Sequence, residues 1–287
     1  MFFSFIINLF LSLNAAVFRQ PVFYSAPIIV LKSSSSAPAI SADKAAVLSL
    51  SDRSFLFTKD ADKSQPIASI TKLMTALVFL DKNPGWEKIY KITESDKIEG
   101  GHLNLFLGDE VNLKDLFYTS LIASDNGATI ALVHASGLSE KEFVDLMNQK
   151  AQFLGLRSTF FSDPIGLSDR NISTAREVAI LVRTALASEE IKKAVYTPNY
   201  SYLTVQGRDK KIESTDYLLF LESENGLKAF GGKTGYTDTA GYCFAGKFSS
   251  ASGKEFISVV LNSEDKNSRF KESRDLVRWI LENYEIY

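Results

Sequence analysis

Pro66-Ile67-Ala68-Ser69-Ile70-Thr71-Lys72-Leu73-Met74-Thr75-Ala76 is the stretch on which the reading of this chain turns. Ile70, Leu73, Met74, Leu77 and Val78 form one apolar stripe at helical spacing, which predicts a helix from Ser69 to Leu80. Serine is a favoured helix N-cap, and Pro66 lies just upstream. A capping box would carry Glu or Gln three residues further on. Lys72 stands there instead, a cation where the helix dipole disfavours one. Ser69 and Lys72 lie one turn apart, with Cβ atoms about 5–6 Å from each other. A lysine in a poorly solvated, positively biased place gives up its proton more readily and can act as a base. The first amides of the helix can stabilise an oxyanion. What costs the helix therefore suits a nucleophile and its base.

Two further strings lie downstream. Ser124-Asp125-Asn126 falls between two predicted helices, and by itself is an ordinary turn and N-cap. Lys233-Thr234-Gly235 closes a strand-like run, where Gly235 lets another backbone approach closely. In this order the three strings resemble the S-x-x-K, S-x-N, K-T-G set of penicillin-binding proteins and serine β-lactamases. The likeness extends to Phe143-Val144-Asp145-Leu146-Met147-Asn148, Lys150-Ala151 and Leu154-Gly155-Leu156. It continues in Gly166-Leu167, Ser173-Thr174-Ala175, Tyr236-Thr237 and Ala240-Gly241-Tyr242-Cys243, and more weakly in Ser268-Arg269. These segments are similar to the low-molecular-mass penicillin-binding proteins, the serine D-Ala-D-Ala carboxypeptidases of peptidase family S11.

The resemblance runs from about Ala39 to the end of the chain. It implies an α+β fold of the β-lactamase/transpeptidase type: an antiparallel sheet flanked by helices, with a helical subdomain inserted at about residues 85–200 and Ser69 in the cleft between them. It implies catalytic roles for Ser69, Lys72 and Ser124. Substrate-binding roles fall to Asn126, Lys233, Thr234 and Gly235, and to Tyr236, whose backbone N–H joins that of Ser69 at the oxyanion. The implied substrate is a peptidoglycan stem peptide ending in D-Ala-D-Ala, with β-lactams as covalent inhibitors and no metal or organic cofactor. Two departures are visible. The chain stops where the family commonly continues into a C-terminal β-domain and an amphipathic anchor. Ser162-Asp163-Pro164-Ile165-Gly166 stands where Asn-Pro-His-Gly is usual.

Composition narrows the alternatives. The formal net charge is −2, without a dense Lys/Arg run, which disfavours nucleic acid as a partner. A single cysteine, Cys243, excludes an internal disulfide. The two histidines, His102 and His134, leave little for a zinc site or a Ser-His-Asp triad. His134 sits in the run Ile130-Ala131-Leu132-Val133 and reads as a packing residue. Gly226–Thr234 imitates a P-loop, but Leu227 occupies the place of its first glycine and no amphipathic helix follows.

Phe2 to Phe18 is apolar and free of charge, short for a membrane span and long enough for a signal h-region. No Lys or Arg precedes it, while Arg19 and Lys32 follow. Residues 1–38 read as an export signal or uncleaved N-terminal membrane tether, followed by the flexible linker Ser33-Ser34-Ser35-Ser36-Ala37-Pro38. Residues 39–287 read as the enzymatic domain, exported to the periplasm or the cell-wall side of the cytoplasmic membrane.

Within that domain, Ala45–Leu50 and Phe55–Thr58 flank a turn and predict a hairpin. Leu113–Ile122, Asn126–Ala135, Ser139–Leu154 and Thr174–Leu186 predict helices, with a capping box at Ser139-Glu140-Lys141-Glu142 and a similar start at Thr174. After about Asn199 the chain returns to strands at Ala229–Lys233, Tyr242–Phe248 and Glu255–Asn262, then a helix from about Lys266 to Asn283. This order predicts a sheet whose strands come from both ends of the chain. The expected activity is a serine D-Ala-D-Ala carboxypeptidase. Its rivals are a serine β-lactamase and an inactive peptidoglycan-binding module, the latter opposed by the intact Ser69, Lys72, Ser124, Asn126 and Lys233.

Overall fold

The computed structural model describes residues 29–31, 36–98, 104–223 and 226–286. The apolar stretch Phe2–Phe18, Ser33–Ser35 of the linker and His102 lie outside the described residues.

The chain opens with β1 (Ile29–Leu31), β2 (Lys44–Ser49), β3 (Phe55–Lys59) and β4 (Gln65–Pro66), then reaches α1 (Lys72–Lys82). After β5 (Ile89–Lys91) and β6 (Glu110–Asn112) come α2 (Leu113–Ile122), α3 (Asn126–Ala135) and α4 (Glu140–Phe153). Next are β7 (Ile172–Ser173), α5 (Ala175–Ala185), α6 (Glu189–Val195), and the hairpin of β8 (Asn199–Leu203) and β9 (Asp209–Glu213). β10 (Leu227–Gly235), β11 (Tyr242–Ser250) and β12 (Glu255–Ser263) lead into α7 (Ser268–Asn283) and β13 (Tyr284–Ile286).

Five strands form the main sheet in the order β10-β11-β12-β2-β3, each pair antiparallel. Strands from both ends of the chain thus meet, as their order in the sequence predicts. Successive side chains of a strand point to opposite faces. Ala45 and Val47 of β2, Phe244 and Phe248 of β11, and Phe256 and Val260 of β12 pack with Phe270, Leu276, Val277 and Ile280 of α7. Their alternates Ala46, Leu48, Cys243, Ala245, Ile257, Val259 and Leu261 face the other layer, with α1 and α5. Both faces are covered, so these strands read as continuous apolar runs. Each large apolar side chain so buried contributes about 1.5–3 kcal/mol. β1 pairs with β13, which places residues 29–31 beside the chain's last strand.

The capping box at Ser139 forms: Glu142 N donates to Ser139 Oγ at 3.3 Å, and Ser139 N to Glu142 Oε2 at 2.9 Å. The start at Thr174 is only half of one. Thr174 Oγ1 accepts from Glu177 N at 3.1 Å, but the Glu177 carboxylate takes Ser158 N and the Thr159 hydroxyl instead. His134 corrects the packing expectation. Its Nδ1 lies 2.7 Å from Asp96 Oδ1, so the ring makes a polar link from α3 to the turn Glu94–Asp96. α6 is a further helix beyond those the sequence predicts, although Ser188 before Glu189-Glu190 is a cap followed by an acidic first turn. The P-loop imitation is a strand: β10 runs straight through it.

The helix expected from Ser69 is the largest local correction. Ala68–Thr71 is a 3-10 turn, and α1 begins at Lys72. Ala68 holds a positive φ of 47°. The loop opposite is drawn tight onto it: Gly166 has φ +88°, and a Cβ there would stand 2.1 Å from Ala68 O. Gly166→Ala is expected to destabilise the protein by about 2 kcal/mol or more in urea unfolding. Gly155→Ala shares a positive φ but meets open space, and should cost about 1 kcal/mol. Equal losses would show that the contact with Ala68 is not what requires glycine.

Candidate active site

In a 3-10 helix the side chains at i and i+3 eclipse. The turn Ala68–Thr71 therefore sets Lys72 directly beside Ser69, and Lys72 Nζ donates to Ser69 Oγ at 2.9 Å. The same ammonium donates to Asn126 Oδ1 at 2.8 Å and to the Ile165 carbonyl at 2.7 Å. Lys72 has 0% exposure. Burial brings its pKa down to about 7, against the opposing fields of Asp125 and Asp163.

Asn126 is the first residue of α3. Asp125 caps that helix through Ala128 N at 2.7 Å, and its other oxygen takes Asn104 N and Nδ2 at 3.1 and 2.9 Å. Ser124, between α2 and α3, holds φ +58°. Positive φ at a serine is sparsely populated and strained, and such residues gather at functional sites. Lys233 Nζ donates to Ser124 Oγ at 2.7 Å, which joins the second string to the third. Lys233 is 1% exposed. Burial, then Lys72 and Arg269, push its ammonium well down, while Asp216 opposes them.

Thr234 lines the cleft from β10, and its hydroxyl lies 2.7 Å from that of Thr215. Gly235 is where the strand passes the nucleophile turn: a Cβ there would stand 2.7 Å from Ile67 O. Tyr236 follows, half exposed, its ring on Tyr242 with centroids 4.4 Å apart. The cleft measures about 980 Å³ and is lined by Ser69, Ser124, Asn126, Thr234, Gly235 and Tyr236 together with Asn104, Lys211, Glu213, Thr215, Tyr217 and Arg269. All the expected site residues are thus in one place. Of these site residues, Lys72 and Lys233 do not line the cleft itself but lie buried beneath it, bonded to Ser69, Asn126 and Ser124, which do.

Several contributors lie outside the three strings. The Ile165 carbonyl is a backbone group, aimed at Lys72 by its loop. Asp163 accepts from Ile165 N at 2.8 Å and Ser168 N at 2.7 Å, and Asn171 Oδ1 accepts from Ser162 N at 2.7 Å. Asp163 is therefore the turn residue its position suggests. Thr215 belongs to none of the strings, and reaches the site through its hydroxyl contact with Thr234. Arg269 lies beneath Gly235, donating through Nη1 to Gly235 O at 3.2 Å and Cys243 O at 3.4 Å.

Chemically, the cleft offers one hydroxyl against an amine whose proton burial loosens, and a second hydroxyl against a second buried lysine. β10 is the edge of its sheet and lines the cleft, so an extended peptide can add to it as a further strand.

The family model for D-alanyl-D-alanine carboxypeptidases, peptidase S11, matches residues 31–265. The chain is 30% identical over 251 residues to the D-alanyl-D-alanine endopeptidase of Escherichia coli K12, covering 85% of this chain and 79% of that one. It is 31% identical over 250 residues to a D-alanyl-D-alanine carboxypeptidase of Bacillus subtilis 168, covering 81% of this chain and 60% of the relative. Among solved structures, the Streptomyces K15 DD-transpeptidase superimposes with a TM-score of 0.78 at 26% identity, over 86% of this chain and 100% of that one. Penicillin-binding protein D2 of Listeria monocytogenes, in its cefotaxime-bound form, does so with a TM-score of 0.73 at 33% identity, over 85% and 98%. Sequence strings, sheet order and family match agree along most of the chain, which belongs to the D-alanyl-D-alanine carboxypeptidase family of penicillin-binding serine peptidases.

Proposed function

We propose that this protein is a serine D-Ala-D-Ala carboxypeptidase of peptidoglycan stem peptides, acylated at Ser69. The observation that carries the reading is the 2.9 Å contact between Ser69 Oγ and the fully buried Lys72 Nζ. Neutral Lys72 takes the Ser69 proton as Oγ attacks the carbonyl of the penultimate D-Ala. The amides of Ser69 and Tyr236 hold the oxyanion. Ser124, bonded to Lys233, passes a proton to the leaving amine as the C–N bond breaks. D-Ala departs, and water then hydrolyses the ester and restores the serine. Asn126 fixes Lys72 and the substrate amide. Lys233 and Thr234 read the terminal carboxylate, and Thr215 adds a second hydroxyl there.

β-Lactams take the same path and stall at the ester. Class A β-lactamases use a glutamate and a water for deacylation. Phe160 to Thr174 contains none, and Glu177 is committed to Ser158 and Thr159. The penicilloyl adduct therefore persists. A second reading, cleavage of cross-links, rests on the cleft continuing past Thr215 to Glu213 and Lys211, which leaves room for a leaving group longer than one residue. The endopeptidase name of the Escherichia coli relative points the same way. The family's action on peptidoglycan supports a location outside the cytoplasm. We assign residues 1–38 to export or tethering and residues 39–287 to the peptidase, with the helical subdomain at about 85–200.

Ser69→Ala should abolish covalent labelling by a fluorescent penicillin while leaving the melting temperature unchanged. Labelling of the variant at another residue would remove Ser69 from the role. Acylation should rise with pH through about 7, because Lys72 acts only after losing its proton. Lys72→Arg should lose that limb and about 10²-fold or more in acylation rate; a native rate in the variant would rule Lys72 out as the base. Lys233→Ala should lower kcat/KM for a stem pentapeptide far more than for the same peptide amidated at its C-terminus. Equal losses would count against carboxylate reading. Mass analysis of pentapeptide and cross-linked dimer digests, run side by side, separates carboxypeptidase from cross-link cleavage.

A further inference from the structure

Asn104 lines the cleft from the segment before β6, and it is held there by two buried charges. Its backbone N–H and its Nδ2 both donate to Asp125 Oδ2, at 3.1 and 2.9 Å. Its carbonyl accepts from Lys210 Nζ at 2.9 Å. Asp125 and Lys210 are only 2% and 6% exposed. Asp125 caps α3 with Oδ1, and its second oxygen goes to Asn104. Lys210 is anchored in turn by Asp109 Oδ2 at 2.6 Å. One charge beside Ser124 and one from β9 thus fix a single asparagine by both main chain and side chain.

Asp125 also decides which way the Asn104 amide turns. A carboxylate only accepts, so Nδ2 faces it and Oδ1 is left as the acceptor. Among the described residues no group donates to that oxygen. Glu213 and Lys211 line the cleft with it, as alternate and exposed residues of β9. Lys211 is paired with Asp209 at 3.1 Å, whereas Glu213 has no ion pair among the described residues. Glu213 stands two residues before Thr215, whose hydroxyl meets that of Thr234. Two residues of extended chain span about 7 Å, close to the reach of a lysine side chain. Beyond the place given to the terminal carboxylate, the cleft therefore presents an amide oxygen and a carboxylate, both acceptors. A leaving D-Ala ends in a methyl group and a carboxylate, and has nothing to donate to them. A longer leaving residue with N–H groups does.

We propose that Asn104 and Glu213 form a subsite for N–H donors on the leaving group, so that the cleft favours a leaving residue that extends beyond D-Ala and carries an amine. This rests on acylation at Ser69 and on carboxylate reading by Lys233 and Thr234, and it deepens the cross-link reading by naming what the longer leaving group must carry. The chemical step is unchanged: the C–N bond breaks and the leaving nitrogen takes its proton through Ser124. Asn104 and Glu213 act on binding, at atoms remote from that bond.

The test uses stem pentapeptides that differ only in the last residue, D-Ala, D-Lys or D-norleucine. D-Lys and D-norleucine share carboxylate and chain, but only D-Lys bears an ammonium. In the wild type kcat/KM for D-Lys should exceed that for D-norleucine by about fivefold or more. In Asn104→Ala that ratio should fall severalfold towards one. A loss of support for α3 would lower both substrates alike and leave the ratio where it was. A wild type without the preference, or an Asn104→Ala that keeps it, overturns the proposal. If Asn104→Ala does not fold, the exposed Glu213→Ala carries the test: a fallen ratio supports the subsite and an unchanged one overturns it. Labelling by fluorescent penicillin and release of D-Ala report the catalytic reading separately. A wild type that labels on Ser69 and releases D-Ala, yet does not prefer D-Lys to D-norleucine, defeats this proposal and leaves that reading standing. One that labels nowhere and releases no residue defeats both.

Discussion

The buried Lys72 ammonium is the constraint around which the rest is arranged. A lysine removed from water must find acceptors or give up its proton. Here it does some of both: three oxygens surround it, and its pKa falls to about 7. Each oxygen belongs to a different part of the chain. Ser69 comes from the turn before α1, Asn126 from the start of α3, and the Ile165 carbonyl from the loop shaped by Asp163 and Asn171. To hold one nitrogen, the helical layer and the sheet-side loop must close on each other to within hydrogen-bond distance.

Local strain collects at the same point. Ala68 and Ser124 both hold positive φ, and Gly166 and Gly235 pass within a Cβ's radius of the nucleophile turn. Such conformations persist only where surrounding packing over-determines them. The sheet supplies that packing, since β12 and β2 are covered on both faces and β10 is fixed along its length to β11. A rigid support holds a strained turn, and the turn holds a hydroxyl against an amine.

The 3-10 turn shows where sequence patterning stops short. Ile70, Leu73, Met74, Leu77 and Val78 have helical spacing whether the first turn is α or 3-10, so periodicity could not tell the two apart. The Ser69–Lys72 contact follows from the tighter turn. His134 shows a similar limit: its neighbours in the sequence are apolar, but its partner Asp96 comes from a distant turn. The capping box at Ser139 and the cap at Asp125 were legible because both partners lie within one turn of each other.

The sequence by itself determined the helices other than α6, the strands of the main sheet and their supply from both ends of the chain, and the residue types of the three strings. These depend on periodicity, capping and order, which are properties of neighbours along the chain. Only the tertiary structure decided which atoms meet. The Ile165 carbonyl on Lys72, Thr215 on Thr234, and Arg269 on the Gly235 carbonyl join residues far apart in the chain, or use backbone groups that every residue possesses. The charge states of the two lysines belong to the same class. A lysine in the sequence is a lysine in water; its proton affinity is set by burial and by neighbouring charges, which exist only once the chain has folded.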